Sequence, residues 1–139
     1  MAHHPPDWRR HQAPSLDEIA AIGRAAFAAL PDEFRALTGE IPIQVADFPE
    51  REVLDELGIE SEFGLLGLFQ GFGLAHASAV PYTGEMPNMI WLYRRPILDY
   101  WADHDDTLGG IVTHVLIHEI GHHFGLSDDD MEEIERGAG

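Results

Sequence analysis

Residues 114–131 read HVLIHEIGHHFGLSDDDM, and this segment constrains the chain more than any other. His118 and His122 are four positions apart, so on a helix they project from one face, one turn above the other. Two imidazoles at that spacing can reach one zinc ion at about 2.0–2.1 Å each. Glu119 follows the first of them and lies beside the metal rather than on it, placed to take a proton from a zinc-bound water. His114 also precedes His118 by four residues, but Val115 stands where the glutamate is needed, so the register is HEIGH. His114 then borders the metal face without a catalytic role. His123, turned by about 100° from His122, reads as a packed or hydrogen-bonded histidine.

A third ligand is needed, and Asp128 is the candidate. Gly125 lies three residues after His122, where a left-handed glycine can end the helix and turn the chain back under the metal. Two imidazoles and an Asp128 oxygen leave a fourth position for water, as in a catalytic rather than a closed structural site. Asp128 also has a second reading. Ser127 can cap a last helix, DDDMEEIE, and the three aspartates then suit the positive end of its dipole. Glu132 or Glu133 would be the substitute ligands.

The composition narrows the chemistry. The chain has no cysteine, so thiolate zinc sites, disulfides and a cysteine nucleophile are excluded. A cysteine-free chain fits a reducing compartment, and cytoplasmic is the expected location. Against 25 acidic residues stand 8 basic ones, all arginine, for a net charge of −17. Such a surface repels phosphate backbones and anionic lipid heads, so neither nucleic acid nor a membrane is an expected partner. No stretch is long and apolar enough to span a bilayer.

Patterning predicts an α+β organisation in 139 residues: a flexible arm over residues 1–14 and one domain over residues 15–139. Ser15 and Glu18 form a capping box for a helix carrying Ile19, Ile22, Ala26 and Leu30, and Pro31 opens a short second helix. IPIQVADF (41–48) alternates as a strand, and PEREVLDELGI reads as a helix ending near Gly58. GLLGLFQGFG (64–73) and NMIWLYRRPI (88–97) read as further strands, joined by a turn-rich loop. ILDYWADHDD is helical in part, and the motif helix starts near Thr107. The result is a small sheet covered by helices on one side.

On the motif 114–131, together with LLGLFQG (65–71) and IWLYRRPI (90–97), the chain resembles small bacterial zincin-like metallopeptidases, described as a minimal zincin fold. In order and spacing the likeness spans about residues 60–135. It implies a small mixed sheet packed against helices, with the active-site helix near the C-terminus. It further implies one Zn2+ per chain, held at His118, His122 and Asp128, with Glu119 as base. A wider similarity is to metzincins, whose motif continues as HExxHxxGxx to a third histidine. Here Asp128 takes that place, and Met131 is too close to serve as their methionine turn.

The expected activity is zinc-dependent hydrolysis of peptide bonds, by Glu119-assisted attack of the zinc-bound water. Tyr82, Tyr93 and Tyr100 are candidates for an oxyanion hydrogen bond, and the sequence does not choose among them. The expected partner is a peptide or flexible protein segment, with the charge favouring a cationic one, laid along an edge strand such as 64–70. The alternative is a non-catalytic module that has kept the zinc site for binding a protein or peptide. The presence of Glu119 weighs against it, because a structural site needs no carboxylate beside its metal.

Overall fold

The computed structural model describes residues 7–71 and 88–138. His3, His4, Tyr82 and most of the loop expected between the last two strands lie outside them. Trp8–Arg10 forms one 3-10 turn. Six α-helices and three strands follow among the described residues: α1 (Leu16–Ala28), α2 (Asp32–Arg35), β1 (Ile43–Ala46), α3 (Arg51–Leu57), β2 (Gly67–Gln70), β3 (Met89–Tyr93), α4 (Arg94–Ala102), α5 (Leu108–His123) and α6 (Asp128–Ala138).

The helix starts follow local chemistry. Ser15 caps α1 in a full capping box: the Glu18 amide donates to Ser15 Oγ at 3.1 Å, and the Ser15 amide donates to Glu18 Oε1 at 3.0 Å. Glu18 is held below its usual pKa chiefly by these bonds from Ser15. Thr107 caps α5, its Oγ1 accepting from the Gly110 amide at 3.0 Å. Gly58 closes α3 in the left-handed region at φ 70°.

The strand expected over 88–97 is shorter than that. It ends at Tyr93, and α4 begins at Arg94 with Pro96 inside its first turn. The first turn has no carbonyl for an N–H at that position to bond, so proline fits there without loss. The RRP segment that reads as a strand end is a helix start. Likewise the expected 64–73 strand is paired only over Gly67–Gln70.

The sheet is mixed, in the order β1-β3-β2. β1 runs parallel to β3, with Ile43 opposite Ile90 and Ala46 opposite Tyr93. β2 runs antiparallel to β3, with Gly67 opposite Leu92 and Gln70 opposite Met89. β2 is therefore an edge strand, and the Trp91 indole N–H donates to Gln70 Oε1 at 2.9 Å and braces it. Phe69, Ile90 and Leu92 alternate onto one face and join the helices in a single apolar cluster. Arg94, at the start of α4, reaches the carbonyl of Pro14 and pairs with Asp47 at 3.0 Å, joining three parts of the chain.

α5 is the central element. It packs against α1, α4, α6 and β2, and Val112, Leu116, Ile117 and Ile120 are fully buried along it. At about 1.5–3 kcal/mol per buried aliphatic side chain, these four hold the helix rigidly in the core. Only one stripe of its later turns reaches the surface, and that stripe carries histidines. Among the described residues no helix is long and apolar enough to cross a membrane.

Candidate metal centre

His114, His118 and His122 stand on successive turns of α5, one above another. The rings of His114 and His118 stack at 4.0 Å between centroids, and those of His118 and His122 meet edge to face at 5.7 Å.

The helix ends as its glycine predicts. Gly125 has φ 78°, its amide donates to the His122 carbonyl at 3.2 Å, and the Leu126 amide donates to the Gly121 carbonyl at 2.9 Å. These two bonds form a Schellman motif. Ser127 then starts α6: its Oγ accepts from the Asp130 amide at 3.1 Å, and Asp130 accepts in return from the Ser127 amide at 3.4 Å. Asp130 is thus committed to the cap, while Asp128, on the same first turn, is left facing His122.

α6 folds back along α5, and Met131 is the bolt between them. It is fully buried against Gly121, where any side chain would run into its sulfur. The glycine inside HEIGH is what lets α6 lie this close. Two acidic residues of α6, seven positions and two turns apart, meet the histidine stripe on either side of Met131. Asp128 Oδ1 lies 3.9 Å from His122 Nε2. Glu135 lies 2.9 Å from His114 Nδ1 through Oε2, and 3.3 Å from His118 Nε2 through Oε1.

The predicted ligands thus fall on one helical hairpin, His118 and His122 on its first arm and Asp128 on its second. Among the described residues, however, the triad of donors gathered within 4.8 Å of one another is His114, His118 and Glu135. Sequence reasoning did not find Glu135; it named Glu132 and Glu133 as substitutes, and both are exposed. The signal available was the seven-residue step from Asp128, which repeats a helix face, but using it requires knowing that α6 returns along α5.

Glu119 sits differently from every other acid near the stripe. It lines a cleft of about 1000 Å³ on one side and a second of about 450 Å³ on the other. The larger cleft has an apolar wall that includes Ile22, Ala26, Leu66, Ile111 and Val115; the smaller is bounded by Leu68 and Phe69 of β2 and by His122. Burial pushes the Glu119 carboxyl up to about 7. Burial, and then the neighbouring His114, holds His118 below the ordinary histidine pKa, against the opposing pull of Glu135.

The remaining candidates separate cleanly. His123 packs on the Phe69 ring, 4.1 Å between centroids, in keeping with its reading as a packed residue. Tyr93 is buried, and burial, with Glu50 and Glu119 adding to it, raises its hydroxyl to about 12. Tyr100 borders the larger cleft, stacked on His104 at 3.7 Å.

No curated protein matches the chain. The family model for zincin-like metallopeptidases matches residues 38–138, from just beyond α2 to the end of α6 and so across the whole sheet and the histidine hairpin. The chain belongs to the zincin-like metallopeptidase family.

Proposed function

We propose that this protein is a zinc peptidase whose metal is held by His118, His122 and Asp128 and whose general base is Glu119. Membership of the family implies a metal, typically zinc. The donor chemistry fits that ion: two imidazoles one turn apart, a carboxylate across from the second, and no thiolate anywhere in the chain. Zinc bound there supplies Lewis acidity, making water more acidic and polarising a carbonyl.

The observation that carries the reading is the place of Glu119. It is a half-buried carboxylate beside the histidine stripe and common to both clefts. Burial raises the Glu119 carboxyl above the ordinary glutamate value, and a metal ion beside it favours the carboxylate form that takes a proton from the attacking water and returns it to the departing amine. The edge of β2 away from β3 pairs with no strand among the described residues, and it borders the smaller cleft. An extended peptide adds to such an edge through main-chain hydrogen bonds, which bring its carbonyl over the stripe.

The substrate class follows from charge. Asp106, Glu119 and Glu135 line the larger cleft, and no arginine is among its described lining residues. Cationic peptides or flexible basic tails are therefore the favoured substrates, encountered in the cytoplasm that the cysteine-free composition suits. A fluorogenic library of basic peptides, incubated with zinc-loaded protein, tests this. Cleavage should vanish with a chelator, return with one equivalent of zinc, and slow with added salt. Cleavage indifferent to chelator would remove the metal from the reaction, and no cleavage of any peptide would leave the metal-holding binding module as the better account.

A further inference from the structure

The histidine stripe is longer than the HEIGH motif needs, and its extra turn faces an acid that the motif does not explain. His114 presents Nδ1 to both oxygens of Glu135, at 3.0 and 2.9 Å, while His118 presents Nε2 to Oε1 of the same carboxylate at 3.3 Å. Donors bound at about 2.1 Å around a tetrahedral zinc stand roughly 3.4 Å from one another. The His118–Glu135 spacing is close to that figure, the His114–Glu135 spacings are shorter, and all three donors lie within 4.8 Å of one another, so small side-chain shifts bring them round one ion. The turn end of the hairpin is wider, with 3.9 Å between His122 and Asp128.

We propose that His114, His118 and Glu135 form a second transition-metal site, which competes with the HEIGH site for one ion because both use Nε2 of His118. The second site takes a borderline divalent cation such as Zn2+ or Co2+, through two nitrogens and a carboxylate. It lies in the larger cleft, of which all three residues are lining groups, so an ion can enter from solvent. Metal bound there draws His118 toward Glu135 and away from His122, which disables the turn-end site. The chain therefore holds one ion at a time. The binding claim stands on its own geometry; only the competition rests on the zinc site proposed above.

The test is titration of Co2+ into the metal-free full-length protein, followed by calorimetry and by the visible absorption of the bound ion. His122→Ala/Asp128→Ala removes the turn-end donors, which are 59% and 88% exposed and carry little of the fold. This double variant should still bind one Co2+ per chain with a ligand-field spectrum of its own. Adding His114→Ala and Glu135→Gln to it should cost at least about 100-fold in affinity. Wild type should saturate at one ion. Binding by the double variant no tighter than by the fourfold variant would overturn the second site, and two ions held together in wild type would overturn the sharing of His118. The converse variant, His114→Ala/Glu135→Gln, reads the turn-end site alone; loss of metal there would count against the zinc site proposed above and leave the second site standing. Circular dichroism of each variant separates a lost site from a lost fold.

Discussion

The two ends of the α5–α6 hairpin offer similar donors in opposite settings. At the turn end, His122 and Asp128 are exposed, 3.9 Å apart, and fixed by backbone devices: a Schellman turn at Gly125 and a cap at Ser127. At the far end, His114, His118 and Glu135 are already in hydrogen-bond contact, held only by the return of α6 along α5. Glu119 stands between the two, half-buried, lining both the cleft of His114, His118 and Glu135 and the one beside His122. Metal ligands alone therefore do not locate the chemistry. On the function proposed above, a carboxylate near the metal that is not needed to bind it does.

That contrast can be broken at three levels. The largest effect should come from Gly121→Val, which drives a branched side chain into Met131 and separates the arms at both ends together. A loss of about 3 kcal/mol, read from the denaturant midpoint, is expected. A midpoint unchanged from wild type would mean that the close approach of the helices is not what holds the hairpin.

The next effect belongs to Glu119 itself. Glu119 has its folded pKa raised from 4.5 to about 7 by burial. Below pH 4.5 the carboxyl is neutral whether folded or not. Between 4.5 and 7 the unfolded chain loses that proton while the folded one keeps it, so stability falls as pH rises through the window. Glu119→Gln stays neutral throughout. In metal-free protein the variant should match wild type at pH 4 and exceed it by about 2 kcal/mol above pH 7, after discounting for incomplete burial. Parallel stability curves for the two proteins would show that Glu119 is not desolvated as described.

The smallest effect sharpens the comparison. Ser127→Ala removes the cap of α6 at about 1 kcal/mol, and it should weaken metal held through Asp128 while leaving metal held by His114 and Glu135 unaffected. Equal weakening at both ends, measured in the backgrounds that isolate each, would mean that the cap steadies the whole hairpin rather than its turn.

Much of this was legible in the residues because it depends on short-range chemistry. The capping pairs Ser15–Glu18 and Ser127–Asp130, the left-handed Gly125 and the shared face of His118 and His122 each follow from neighbours within a few positions. What stayed hidden needed tertiary placement. Arg94–Pro96 reads as strand because proline is tolerated at a strand edge as well as in a helix's first turn. Glu135 carries no motif of its own, and its partners lie 17 and 21 residues earlier, across a crossing that Gly121 and Met131 set. Met131 itself lies too close to Asp128 for a methionine turn, yet it sits buried directly behind the histidine helix α5.

The central claim is that Glu119 performs the chemistry without holding the metal. The most direct measurement is peptide turnover and zinc content on the same preparations of wild type and Glu119→Gln. The account predicts one zinc per chain in both, with turnover in the variant reduced by about 100-fold or more. Equal turnover with zinc bound in both proteins would contradict it, and so would loss of zinc from the variant.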